Sequence, residues 1–144
     1  MKSIAKLKKI KGDASFREFY RNKENNSILV ISKKEKLKNL LIYDSINKIL
    51  IKNKILAPKL LGENYLNNYI EIQDFGDQTL FKILKNKNNN NYVIFKKVVK
   101  ILNKIQLIKD KKVKNFQNKL YKVQDYNNKI LFHETKLFCD WYAP

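Results

Sequence analysis

Residues 11–21 read KGDASFREFYR, and one of only three glycines stands there, followed at once by Asp13, Ala14 and Ser15. These residue types can handle a phosphate. Gly12 lets a backbone approach a ligand without a Cβ clash. Ser15 and the neighbouring N–H groups can donate to phosphate oxygens, and Arg17 adds positive charge. The same GDAS chemistry also makes a plain hairpin turn, so both readings stay open on these residues alone. A second possible pair, the lone His133 and the lone Cys139, is six residues apart. That is not a helical i, i+3 or i+4 spacing, and the pair reads as a surface imidazole and a small, semi-buried thiol.

The elements that must position such a turn are legible around it. Residues 27–31, SILVI, form a short apolar run with β-branched members and read as a buried strand. Residues 34–51 place Leu37, Leu40, Leu41 and Asp44 on one side of a helix, continued by Ile46, Ile49 and Leu50. Ala57-Pro58 ends that pattern. Residues 68–73, NYIEIQ, alternate, with Ile70 and Ile72 on one face of a strand and Tyr69, Glu71 and Gln73 on the other. DFGDQTL then reads as a turn and a short helical start. The polar run 85–91 reads as a surface loop. Residues 92–108 carry a stripe of Ile94, Phe95, Val98, Ile101, Leu102, Ile105 and Ile108, read as the core-facing side of an amphipathic helix. A lysine-rich stretch, 109–122, follows, and a last helical segment spans 129–142. Strands come early and helices late, which is an α+β order.

Composition narrows the class. The chain has 144 residues and is 44% apolar, enough for one domain with a modest core. It contains no apolar run of membrane-spanning length, and the N-terminal basic residues precede no continuous apolar stretch. A single cysteine fits a reducing, cytoplasmic setting. The net charge of +18 points toward nucleic acid, yet only Arg17 and Arg21 of the 31 basic residues are arginine. Specific phosphate recognition favours the arginine fork, and the scattered lysines, with abundant Asn and Ile, read as compositional drift in an AT-rich genome. Neither a membrane nor a nucleic-acid partner is expected. The alternative kept open is a basic, non-catalytic module for RNA or another polyanion.

GDASFREFYR (12–21) resembles the nucleotide-binding loop of the aminoglycoside-phosphotransferase-like kinases, closest to the bacterial anomeric N-acetylmuramate and N-acetylglucosamine kinases. The likeness continues in order. ILVIS (28–32) resembles the family's third strand and ILAPKLLG (55–62) the turn after its main helix. IEIQDFGDQTL (70–80) resembles its hinge, and LFHETKLFCDWY (131–142) a helix ending E-x-x-L-F-x-x-W-Y. The resemblance implies a protein-kinase-like N-lobe, a small antiparallel sheet plus helix, over 1–76, and the first helices of an incomplete C-lobe over 77–144. It implies a nucleotide site made by Gly12, Asp13, Ala14, Ser15 and Arg17 at the loop and by Gln73, Asp74 and Phe75 at the hinge. Backbone N–H and C=O groups at the hinge would bond the adenine edge. It further implies ATP with Mg²⁺, a sugar or amino-alcohol acceptor, and a role in recycling cell-wall sugars. GDAS and DWY favour an amino sugar.

Departures from the family pattern shape the remaining expectations. Kinase-like folds place a lysine in the third strand, paired with a helix carboxylate, on the α- and β-phosphates. Here Lys33 and Lys34 come just after the strand, and the helix offers Asp44, which could pair with either or stand as a solvated charge. Asp-Phe-Gly at 74–76 spells the metal motif of protein kinases, but no catalytic loop precedes it and the sole histidine is His133. It is therefore read as hinge. Glu134 matches a family glutamate near the sugar, or is a solvent-exposed helix residue. The catalytic aspartate and the metal ligands are expected beyond the WY helix, so the sequence reads as a fragment or a truncated gene. A degenerate relative that binds nucleotide without turnover would share these features.

Overall fold

A computed structural model describes residues 7–11, 16–86 and 89–142. Gly12, Asp13, Ala14 and Ser15, four of the expected nucleotide contacts, lie outside the described residues. The fold is α+β: a five-stranded antiparallel sheet comes first and helices follow.

The sheet is built from β1 (Lys8–Ile10), β2 (Arg17–Asn22), β3 (Ser27–Ser32), β4 (Leu60–Asn64) and β5 (Tyr69–Gln73), in the spatial order β1-β2-β3-β5-β4. Helix α1 (Lys38–Lys52) lies in the connection between β3 and β4. The hairpins turn where asparagine accepts a left-handed backbone: Asn26 between β2 and β3, φ 48°, and Asn68 before β5, φ 64°. Period-2 alternation then aligns two rows on one face. Ile10, Phe19, Val30 and Ile70 are successive cross-strand partners, and so are Arg21, Ile28, Ile72 and Leu60.

That face meets α1. Leu40, Val30 and Ile70 are fully buried and join Ile28 and Ile72 in one cluster, flanked by Leu37, Tyr43, Leu60 and Phe116. Each large aliphatic side chain so buried contributes about 1.5–3 kcal/mol of transfer free energy. The helix starts later than its pattern suggested, because Lys34–Lys36 form a 3-10 turn before it. It ends where Lys54 takes φ 57° and the Ile55 N–H returns to the Leu50 carbonyl at 2.9 Å.

The second half differs more from expectation. The lysine-rich stretch 109–122, to which no element was assigned, contains a hairpin, β6 (Lys112–Lys114) paired with β7 (Leu120–Lys122). Its turn packs on α1: Phe116 joins the core and donates its N–H to Asp44 Oδ2 at 2.8 Å. Asp44 is 2% exposed and also accepts from Lys48 Nζ at 2.9 Å. It is neither a solvated charge nor a partner of Lys33 or Lys34. Helix α2 (Leu80–Lys85) is capped by Thr79 Oγ1, which accepts from the Lys82 N–H. Helix α3 (Asn91–Gln106) and helix α4 (Asn128–Tyr142) bury no residue. The α3 stripe was expected to be core, yet Phe95, Ile101 and Leu102 are exposed. Near its C-terminal end Ile105, with Ile108 just past the helix, lines an open cavity of about 170 Å³ together with Ile46, Ile49 and Leu50 of α1. Cys139 is exposed on α4, not semi-buried.

Removing the Asp44 carboxylate leaves the Phe116 N–H without its acceptor beside the core. Asp44→Ala is expected to lower unfolding free energy by about 2–4 kcal/mol, and Lys48→Ala, which removes the counter-charge of this carboxylate but leaves its bond to Phe116, by less. Urea denaturation checks this; equal losses in the two variants would show that the backbone bond to Phe116 contributes nothing.

Candidate functional site

Beneath the sheet, between its inner face and the segment leaving β5, lies an open cleft of about 270 Å³. Its walls follow from the strand register. Ile10, Phe19, Ile28 and Ile72 face into it from four strands, Tyr43 closes it from α1, and residues 73–77 form its rim. A flat apolar ring suits such walls, and the polar groups concentrate at the rim.

The rim is fixed by a two-pronged ion pair. Arg21, on the cleft face of β2, donates from Nε to Asp74 Oδ2 at 2.5 Å and from Nη2 to Asp74 Oδ1 at 3.1 Å. Its Nη1 reaches Asp77 Oδ1 at 2.6 Å. The Arg21 and Asp74 side chains are only 14% and 12% exposed, while Asp77 is 73% exposed. Asp74 Oδ1 also accepts the Gly76 N–H at 2.7 Å, and Gly76 sits at φ 78°, a backbone that disfavours any residue with a Cβ. The Asp74 N–H is bound to the Asn26 carbonyl at 3.2 Å and the Gln73 N–H to the Lys59 carbonyl at 2.9 Å. Among the described residues, the Phe75 N–H and C=O have no backbone partner. They are one donor and one acceptor at the mouth of an apolar cleft.

Of the residues singled out in the sequence, Gln73, Asp74 and Phe75 come together at this rim. Arg17 stands on the same face of β2 as Phe19 and Arg21, with its guanidinium 4.9 Å from the centre of the Tyr43 ring. Gly12 to Ser15 fall in sequence between Ile10 and Phe19, which both line the cleft. Lys33 and Lys34 lie where β3 gives way to the 3-10 turn and do not line it. Asp44 is committed to Phe116 and Lys48. Glu134 is on α4, exposed, and accepts the Tyr126 O–H, which raises the phenol's pKa. The sequence reading missed Arg21, Asp77, Phe19 and Tyr43 as cleft residues. The alternation in SFREFYR was the available signal: it puts Arg17, Phe19 and Arg21 on one strand face.

The other face of β2 carries a separate network. Tyr20 O–H donates to Glu18 Oε2 at 2.7 Å and Lys9 Nζ to Glu18 Oε1 at 3.0 Å, holding the Glu18 carboxyl below its ordinary range. It is exposed and faces away from the cleft. Among the described residues no cluster of three or more His, Cys, Asp or Glu could hold a metal, and no helix is long and apolar enough to cross a membrane. Comparison with protein-family models, curated proteins and solved structures returned no match.

Asp77 reports directly on the rim. The hydrogen bond from Arg21, and then its charge, holds the Asp77 carboxyl below its ordinary value of 3.8. Arg21 thus favours the ionised form, so the contact is at full strength above pH 3.8 and is lost as pH falls through the lowered folded-state value. In Arg21→Gln the Asp77 titration, followed by carboxyl-carbon NMR, is expected to move up toward 3.8. An unmoved midpoint would mean that the two groups do not meet in solution.

Proposed function

We propose that this chain is the nucleotide-binding part of an ATP-dependent small-molecule phosphotransferase of the aminoglycoside-phosphotransferase-like type, with an amino sugar as the acceptor class. The observation that supports this reading most is the cleft under the five-stranded sheet. Its apolar walls, Ile10, Phe19, Ile28 and Ile72, lead to a rim with a donor and an acceptor on one residue, Phe75. ILVIS, aligned in the sequence with a third strand, is the third strand of the sheet, and the helix between β3 and β4 matches the N-lobe plan. The purine ring would lie between the sheet and Tyr43, its edge toward Phe75. The triphosphate would run toward the connection between β1 and β2, near Arg17. Mg²⁺, when bound to ATP, would neutralise phosphate charge during transfer. The preference for an amino sugar rests on the GDAS and DWY stretches alone.

A ligand that binds only the native state raises its melting temperature. Mg·ATP is therefore expected to give a saturable upward shift, abolished by Ile10→Trp, which fills the cleft mouth from β1 with the strand pairing kept. No shift at millimolar Mg·ATP would overturn the reading. Salt separates it from polyanion binding. A surface that only neutralises phosphates loses orders of magnitude of affinity between about 50 and about 200 mM salt. A cleft that holds the base is expected to lose far less over that range.

A further inference from the structure

Arg21 is one of only two arginines in a chain rich in lysine, and it is half of the most enclosed ion pair in the rim. Its two bonds to Asp74 need the planar guanidinium fork; an ammonium on a flexible stem makes one contact at a time. Asp74 in turn is the acceptor for the Gly76 N–H. The carboxylate therefore spans Phe75, bonded to Arg21 on one side and to the backbone just past Phe75 on the other. Through this relay a strand in the roof of the cleft, β2, sets the peptide orientation of the rim.

We infer that Arg21 is a positioning residue for base selection: acting through Asp74, it fixes the direction in which the Phe75 N–H and C=O face the bound ring. The inference rests on the nucleotide reading and adds to it the choice of base. An adenine edge offers an acceptor, N1, beside a donor, the 6-amino group. A guanine edge offers the reverse, a carbonyl oxygen beside an N1–H. A rim donor and acceptor held in fixed directions tell these apart, because the wrong base leaves two desolvated polar groups unpaired. A rim free to swing loses that distinction while the apolar walls still hold either ring.

The distinguishing measurement is the ratio of Mg·ATP to Mg·GTP affinity, by titration calorimetry on the whole chain. The unsubstituted protein is expected to prefer ATP. In Arg21→Gln the ratio is expected to fall by about tenfold, mostly through weaker ATP binding. Arg21→Lys, which keeps the charge but not the fork, falls between the two. Asp74→Asn is expected to match Arg21→Gln, and the double variant to be no worse than either single one, since both break one relay. Far-ultraviolet circular dichroism confirms that the variants are folded. If Arg21→Gln does not fold, the Arg21→Lys ratio decides. An unchanged ratio in a folded variant, or equal loss of both nucleotides, overturns the inference and leaves the nucleotide reading standing. An unsubstituted protein that binds both nucleotides equally has the same consequence. One that binds neither overturns the nucleotide reading, and the inference with it.

Discussion

The burial of Leu40 against Val30 and Ile70 is the contact on which the remaining geometry depends. All three are fully shielded, and they join a helix to two non-adjacent segments of chain. Once Val30 and Ile70 face α1, the pleat leaves no freedom for the rest of each strand. A shift of one residue would turn Ile28 and Ile72 to the opposite face, away from the row they share with Arg21. The same register that closes the core therefore opens the cleft, since Arg21, Ile28 and Ile72 form one cross-strand row. Core and site are two ends of one alternating pattern.

Charge enters this scaffold where apolar contact cannot specify direction. Leu40 holds α1 on the sheet, but a nonpolar contact permits rotation and sliding. Asp44, one turn further along and buried, accepts a backbone N–H from a hairpin some seventy residues downstream. That bond pins the helix in azimuth. Arg21 does the same for the rim, where Asp74 and Asp77 are its two acceptors. In both places an enclosed carboxylate is hydrogen-bonded and ion-paired, which is what makes an enclosed charge tolerable. Among the described residues no buried side-chain nitrogen or oxygen lacks a partner.

The legible parts of this fold are those whose signal is local. SILVIS is β-branched and apolar, and YIEIQ alternates, so β3 and β5 were visible and their bounds shift by one residue at most. The pattern of α1 was visible because Leu37, Leu40 and Asp44 share a face. β1 is three residues long and β4 is interrupted by a bulge between Leu60 and Gly62, so neither has room to show a period. The hairpin at 112–122 was hidden for another reason. KVK offers one apolar side chain in three and LYK two, too few to show a period, and their order comes from Phe116 reaching the core. The α3 stripe shows the opposite failure: a strong period promised burial, but the helix buries no residue. Periodicity states which side of a helix is apolar, and not what lies against it. At the site, the rim was legible as a strand running into Asp-Phe-Gly, whereas the Arg21 clamp links positions more than fifty residues apart.

The excess positive charge acts differently from these enclosed pairs. With lysines spread along the whole chain, its field falls off within a Debye length at physiological salt and favours any anion over none. It can speed the approach of a polyphosphate, yet it cannot orient one, because an exposed ammonium holds its partner loosely and in no fixed plane. Orientation needs groups whose own positions are over-determined. In this chain those are few, and two of them converge on the same cleft. The Arg21–Asp74 fork is tied to the sheet through β2 and to the rim through Gly76. Tyr43 is tied to the core by α1 and covered by Arg17. Any anion drawn in by the surface field would meet its first directional contacts there, at groups whose planes are fixed by the fold.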